Sequence, residues 1–324
     1  MKAFSANGMR PVRLIGIRLA AEDVNVYEFA PLDARPMEPF EPGAHIDLRL
    51  NDTLLRQYSL LPPLTGTHAD ANTLRIAVQT EGDGRGGSRF LAHDAHVGDV
   101  FHVSAARNHF HLVRGAAHSV LIAGGIGITP LFGMIGALQR EGASWQLHYA
   151  VRSETRALFR DALRDYGDKV RIACSDRPDQ GRLDLQAIVA DAPPGSQFYC
   201  CGPQRMVDAF IDASRALPPA DVHVERFSAT TDAADEGGFE VRLVRSDRRF
   251  VIPPGSTILQ ALREAGMDVP SSCEQGVCGV CETRVLAGEP DHRDHVLSAS
   301  EQAKGDTMMI CCSGSRSPFL ELDL

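Results

Sequence analysis

The sequence is short of what marks a protein working on nucleic acid or inside a membrane. Basic residues do not dominate: 33 Lys and Arg stand against 42 Asp and Glu, a formal net charge of −9. That balance argues against nucleic acid or an anionic bilayer as the main partner. No apolar run approaches the roughly 18 residues a membrane helix needs. The opening stretch MKAFSANGMRPVRL lacks the apolar core of a secretory signal. A soluble, cytoplasmic protein is the expectation. A disulfide framework is missing as well, since eight cysteines in 324 residues, most of them clustered, suit metal binding in a reducing compartment.

What is present is concentrated near the end of the chain. Cys273, Cys278 and Cys281 stand at C-x4-C-x2-C spacing, and Cys311-Cys312 follows after a gap of 29 residues. Three thiolates on one loop and a distant fourth make the ligand set of a plant-type [2Fe–2S] cluster. The long gap excludes a compact zinc knuckle, although a four-cysteine zinc site remains the competing reading. Either Cys311 or Cys312 can supply the fourth ligand, and the spacing favours Cys311. Gly276 and Gly279 allow a tight loop whose N–H groups can point at sulfur.

Residues 1–113 read as β. Short apolar or alternating segments at 12–19, 24–30, 45–50, 56–61, 74–79 and 99–104 are separated by turns rich in Gly, Pro and Asp. That rhythm predicts a small antiparallel barrel or sandwich. Two pieces can carry chemistry. Arg56-Gln57-Tyr58-Ser59 offers a guanidinium for a phosphate, a phenol and a small hydroxyl. The run from Gly82 to Ser88 is glycine-rich and leads into a short helix from Arg89, so its N–H groups can hold an anion. The plain alternatives are an ordinary strand and a hairpin loop.

At Ser119 the pattern changes to alternating strand and helix over residues 114–228. Strands are expected at 120–123, 145–151, 170–173 and 197–200, and helices at 131–140, 154–166, 183–189 and 204–216. This predicts a doubly wound parallel sheet with helices on both faces. The turn Gly124-Gly125-Ile126-Gly127-Ile128-Thr129-Pro130 lies where such folds bind dinucleotides, with Pro130 at the last glycine position of the usual fingerprint. Cys200-Cys201-Gly202-Pro203 lies at the same carboxyl edge. Residues 229–238 are small, polar and acidic and read as a linker. Residues 239–324 follow the order of a β-grasp ferredoxin, with strands at 239–243, 249–252, 283–286, 307–311 and 319–322 and a helix at 257–265 ending at Gly266.

Together these motifs resemble the class IA reductases of Rieske-type oxygenase systems, the family of phthalate dioxygenase reductase and vanillate O-demethylase reductase. The carrying residues are Arg56-x-Tyr58-Ser59, Gly84-Arg85-Gly86-Gly87-Ser88, the Gly124–Pro130 turn, Cys200-Cys201-Gly202-Pro203, the cysteine loop and the stretch from Glu289 to Asp294. The resemblance spans essentially the whole chain. It implies a flavin-binding β-barrel, a ferredoxin reductase-like nucleotide domain and a C-terminal [2Fe–2S] ferredoxin, with FMN, NADH and the cluster as cofactors. It implies that Arg56, Gly86, Gly87 and Ser88 bind the FMN phosphate, that Tyr58 packs at the flavin and that Ser59 lies near N5. Phe227 would cover the flavin ring. Gly124, Gly125, Gly127, Thr129, Cys201 and Gly202 would line the nucleotide site, with Cys201 near the nicotinamide. Ser59, Thr129, Cys201 and Phe227 are thus the residues placed at the hydride step, and Cys273, Cys278, Cys281 and Cys311 the iron ligands. The partner implied is a separate oxygenase component met transiently, and a monomer is the expectation. A cytochrome P450 acceptor and a redox-sensing protein without turnover are the alternatives. Arg152-Ser153, after the second strand of the parallel sheet, is where a 2′-phosphate would be recognised, although the expectation is NADH.

Overall fold

A computed structural model describes residues 8–33, 35–51, 54–64, 72–82, 86–177, 182–227 and 238–324. Gly84 and Arg85 of the glycine-rich turn, and all but the last residue of the expected linker, lie outside them. The chain divides into two compact units, Met1–Arg226 and Phe227–Leu324.

The first unit opens with an antiparallel sheet of β1 (Arg10–Ala21), β2 (Val24–Pro31), β3 (His45–Arg49), β4 (Leu55–Ser59), β5 (Leu74–Gln79) and, after helix α1 (Gly87–His93), β6 (Val100–Val103). Its order is β4-β3-β6-β1-β2-β5. The sheet curls so that its two ends meet, and just beyond β4 the Leu61 N–H donates to the Arg75 carbonyl of β5 at 2.9 Å. The alternation seen in sequence fills the barrel with Val12, Leu14, Tyr27, Phe29, Ile46, Leu48 and Ile76. One ion pair is buried in its wall. Arg75, 1% exposed, donates through Nε to Glu28 at 2.9 Å. A Cβ at Gly16 would come within 3.1 Å of that carboxylate, and β1 shifts register between Leu14 and Gly16. The glycine bulge makes room for the pair.

The second sheet of this unit is parallel: β7 (His118–Gly124), β8 (Trp145–Val151), β9 (Val170–Cys174), β10 (Ser196–Cys201) and β11 (Val222–Glu225), in the order β11-β10-β7-β8-β9. Helix α2 (Ile128–Arg140) packs on one face, against Leu121, Leu147, Tyr149 and Tyr199. Helices α4 (Leu185–Ala190) and α5 (Gln204–Ala213) cover the other, over Val120, Ile122 and Phe198. Val24, Val26, Leu61 and Ala77 of the barrel join the first of these clusters. The barrel and the parallel sheet therefore share a core.

The helix expected over 154–166 is broken. A 3₁₀ turn (Glu154–Arg156) and α3 (Arg160–Arg164) flank Phe159, whose backbone is left-handed at φ 63°. Tertiary contacts outweigh local propensity here: the Leu158 N–H donates to the Tyr149 hydroxyl at 3.1 Å, and Phe159 stacks on Phe132 at 4.0 Å. Strand β11 was not foreseen.

The second unit contains β12 (Phe239–Leu243), β13 (Arg248–Ile252), α6 (Ile258–Glu264), β14 (Glu282–Ala287), β15 (Pro290–Asp291), α7 (Ala299–Lys304), β16 (Thr307–Met309), β17 (Gly314–Ser315) and β18 (Phe319–Leu322). Its main sheet runs β13-β12-β18-β14-β16, with β12 and β18 parallel and the other pairs antiparallel. This is a β-grasp sheet. Helix α6 starts at a capping box of Thr257 and Gln260 and lays Ile258, Leu259 and Leu262 on the sheet. Among the described residues no helix is long and apolar enough to cross a membrane.

Candidate functional site: a flavin cradle, a nucleotide crevice and a four-thiol loop

Strand β4 presents the first group. Arg56 and Tyr58 are partly buried and Ser59 is 7% exposed. Helix α1 begins against Arg56, where a Cβ on Gly87 would lie 2.6 Å from the arginine Cγ. Gly86, before it, has φ 85°, a backbone that favours glycine. Ser88 accepts from the Glu81 N–H at 3.2 Å and so ties the two sides of the turn together. The buried Ser59 hydroxyl has no hydrogen-bond partner. A buried hydroxyl without a partner points to a polar ligand, and the polar edge of a flavin is such a ligand.

The second group lies at the carboxyl edge of the parallel sheet, where the chain leaves β7 and β10. Gly124 ends β7, Gly125–Gly127 makes a 3₁₀ turn and α2 follows, with Pro130 in its first turn. The Thr129 hydroxyl donates to the Ile126 carbonyl at 2.9 Å and closes the turn. The two loops touch. A Cβ on Gly127 would be 2.3 Å from the Cys201 carbonyl oxygen, and one on Gly202 3.0 Å from the backbone of Gly124. Only glycine permits this approach, which lies at the point where the strand order reverses, the place where folds of this kind bind ligands.

Cys200 and Cys201 face opposite sides of the sheet. Cys200 packs with Val207 and Phe210 under α5, and burial pushes its thiol up to about 12. Cys201 joins the cluster on the α2 face, and its Sγ donates to Glu225 Oε2 at 3.9 Å from the paired position on β11. Glu225 is only partly buried as a residue, yet enclosure of its carboxyl raises it to about 8. Burial also holds the Cys201 thiol well above its usual range. Burial thus shifts both groups towards their protonated, uncharged forms. Sequence reasoning missed Glu225. The alternating Val222-His223-Val224-Glu225 was the available signal for an edge strand ending there.

The third group is the cysteine loop. Cys273, Cys278, Cys281 and Cys311 are all buried, at 1 to 7% exposure. Glu274, Gly276 and Gly279 have positive φ, of 57°, 67° and 72°. This winding turns the N–H groups of Gln275 and Val277 onto Cys273 Sγ, at 3.3 and 3.5 Å. Cys311 interacts with the thiols of Cys273, Cys281 and its neighbour Cys312, and Cys273 also with that of Cys278. Hydrogen bonding to neighbouring thiols, then burial, pushes Cys273 and Cys281 up, while Cys311, which accepts from them, is pulled down. The Cys312 thiol lies close to the Met309 carbonyl at 3.7 Å and the Ser313 hydroxyl at 3.9 Å, beneath Gly276. Among the described residues no three His, Cys, Asp or Glu side chains are arranged to hold a single metal ion. A [2Fe–2S] cluster instead divides four thiolates between two irons. Asp294 buttresses the loop. Its Oδ2 caps the N–H groups of Val296 and Leu297, and the His295 N–H donates to the Gly276 carbonyl at 2.8 Å. Phe227 opens the second unit and is 39% exposed.

Comparison with known proteins decides the family. Residues 241–315 match the 2Fe-2S iron-sulfur cluster binding domain, and residues 121–212 the oxidoreductase NAD-binding domain. The chain is 49% identical over 322 residues to the phenoxybenzoate dioxygenase subunit beta of Ectopseudomonas oleovorans, covering 99% of each. It belongs to the class IA reductase components of Rieske oxygenase systems. The structure of phthalate dioxygenase reductase matches with a TM-score of 0.70 at 36% identity, over 98% of both chains. An intact type IV self-sufficient cytochrome P450 monooxygenase matches with a TM-score of 0.89 at 39% identity, and there this chain spans 41% of the longer protein. Like its family, the reductase is an iron–sulfur flavoprotein oxidoreductase using NADH, FMN and a [2Fe–2S] cluster.

Proposed function

We propose that this reductase carries electrons from NADH through FMN and its [2Fe–2S] cluster to a Rieske-type oxygenase component. The observation that supports it best is that one chain carries both closely packed glycine loops at a strand-order reversal and a buried four-thiol loop. A nicotinamide gives up two electrons and the cluster accepts one at a time, and the flavin supplies that conversion.

In this reading the functional parts are residues 1–113 for flavin, 114–228 for nucleotide, a linker at 229–238 and 239–324 for the cluster. Arg56, with Gly86, Gly87 and Ser88, holds the FMN phosphate, and Tyr58 packs on the ring. Ser59, whose hydroxyl is buried without a partner, offers its proton to the flavin edge. Gly124, Gly125, Gly127, Thr129 and Gly202 would admit the dinucleotide close to the backbone, and Phe227 is read as the aromatic that covers the flavin ring. The Cys201–Glu225 pair, shifted by burial towards its uncharged form, keeps the approach to the nicotinamide close to neutral, so the chain's task is orientation and exclusion of water rather than acid–base catalysis. Cys273, Cys278, Cys281 and Cys311 hold the irons, with the N–H groups of Gln275 and Val277 directed at a ligand sulfur. The reductase acts as a cytoplasmic monomer that meets its oxygenase transiently, without nucleic acid or membrane.

Anaerobic titration with NADH, followed by visible absorption and EPR, tests this. The expected result is bleaching of flavin absorbance with the rise of a reduced-cluster signal. Bleaching of the flavin with a cluster that stays oxidised would sink the reading. A cytochrome P450 acceptor is the second reading, favoured by the likeness to the self-sufficient P450. Transfer to a P450 and none to any Rieske oxygenase would establish it.

A further inference from the structure

The loop after β8 is held by the barrel. The Glu22 N–H donates to the Thr155 carbonyl at 2.9 Å, and the Glu22 carboxylate takes Arg156 at 2.7 Å. Arg156 also pairs with Asp23 at 2.6 Å, and Glu154 pairs with Arg160 at 3.4 Å and Arg177 at 3.1 Å. The guanidiniums around this loop are thus engaged with carboxylates, apart from the exposed Arg152; hydrogen bonds from Thr155 and Arg156 lower the Glu22 carboxyl, and the charge of Arg152 adds to them.

Two hydroxyls complete the arrangement. Thr155 Oγ1 lies 2.6 Å from Glu22 Oε2 and 2.9 Å from Ser153 Oγ. A hydroxyl has one proton, and an ionised carboxylate can only accept. Thr155 therefore spends its proton on Glu22. Ser153 must then donate to Thr155, and it presents only lone pairs outward. The direction of this chain is fixed from its far end, in the turn between β1 and β2 of the barrel.

Its position gives it meaning. In folds of this kind the dinucleotide lies across the carboxyl ends of the strands, and the turn after the second strand meets the adenosine ribose. Ser153 follows the second strand, β8, next to the Gly124–Gly127 turn of β7. A ribose 2′-hydroxyl has a proton to give to a lone pair. A 2′-phosphate has none, and it brings negative charge towards Glu22.

We infer that the Glu22–Thr155–Ser153 hydrogen-bond chain makes this reductase select a nucleotide with a free 2′-hydroxyl over one with a 2′-phosphate. The inference rests on the proposed NADH-dependent reading and names the specificity determinant within it. Glu22 and Thr155 act through Ser153 as positioning residues.

The test is a Thr155→Val variant, which keeps the shape and the Glu22–Arg156 pair and removes the relay. kcat/KM is measured with NADH and NADPH, and binding of 2′,5′-ADP and 5′-ADP is measured by calorimetry. Removing the relay frees the Ser153 proton, and the NADPH-to-NADH ratio should rise about tenfold or more, the scale of one mispaired group. The 2′,5′-ADP affinity should rise with it, and a further Ser153→Ala change should erase both gains. Glu22→Gln, whose amide can donate to Thr155 and reverse the chain, should raise the ratio as well. A ratio within twofold of the parent in both single variants, or a gain that survives Ser153→Ala, overturns the inference. A parent protein that fails to oxidise NADH would instead overturn the underlying reading.

Discussion

Replacing Gly127 with alanine is a clean perturbation of the nucleotide crevice. Gly127 has φ −62°, which alanine adopts without strain, so the backbone conformation itself is not at stake. The obstacle is the methyl group. It would stand 2.3 Å from the Cys201 carbonyl oxygen, 2.5 Å from its carbon and 2.7 Å from the Gly202 nitrogen. All three are backbone atoms that cannot rotate away, so the loops after β7 and β10 must separate by about 1 Å to reach ordinary contact. Such overpacking costs about 1–3 kcal/mol of stability. A misplacement of about 1 Å between reacting partners can cost about 10²-fold in rate. Stopped-flow reduction of the flavin by NADH should slow by about that factor, while the visible spectrum of the cluster is unchanged. Gly133→Ala is the control. It lies on the same helix, and its nearest neighbour would be 3.6 Å away, so it should be silent. A Gly127→Ala enzyme that reduces its flavin within twofold of the parent rate would refute the close-approach argument.

Other consequences follow from the same coordinates. Cys311→Ala should drop iron from about two per chain to near zero, whereas Cys312→Ala should keep it; the opposite outcome in iron analysis would reassign the fourth ligand. Arg75→Ala leaves Glu28 buried without its partner and should cost about 3–5 kcal/mol in urea unfolding, most of it recovered by adding Glu28→Gln. The pH dependence of stability has a definite sign at His45, which burial lowers to about 4. The unfolded chain takes up a proton below about 6.5 and the folded chain does not. This contribution is therefore fully present above pH 6.5 and is lost as pH falls towards 4, by on the order of 3 kcal/mol at most. A His45→Gln variant that lost stability equally steeply over that interval would show the histidine is not responsible.

Much of the architecture was legible without coordinates. The alternating segments of the barrel, the continuous apolar runs of β7 and β10 and the cysteine spacing each report a local or strictly periodic constraint. Strands 74–79, 145–151, 239–243 and 319–322 were placed at their observed ends for that reason. The broken helix around Phe159 was not legible, because its cause is a hydroxyl nine residues back in sequence and a ring on another helix. The short elements β15, β17 and α7 were missed too. They carry too few apolar residues for periodicity to register, and β15 and β17 exist only by pairing with each other.

The sequence by itself determined the chemistry: thiolates at a spacing that suits two irons, glycines where a chain must turn tightly against a ligand, and a basic and a hydroxyl group on one strand. These are properties of residue type and order. The tertiary structure decided which groups share an environment. It brought Cys311 to the loop thiols of Cys273 and Cys281, some 30 and more positions earlier in the chain, with Cys312 beside it against Gly276. It joined Cys201 to Glu225 and Thr155 to Glu22, residues separated by 24 and more positions. Proton direction and burial depend on such long-range neighbours, and a linear pattern does not contain them.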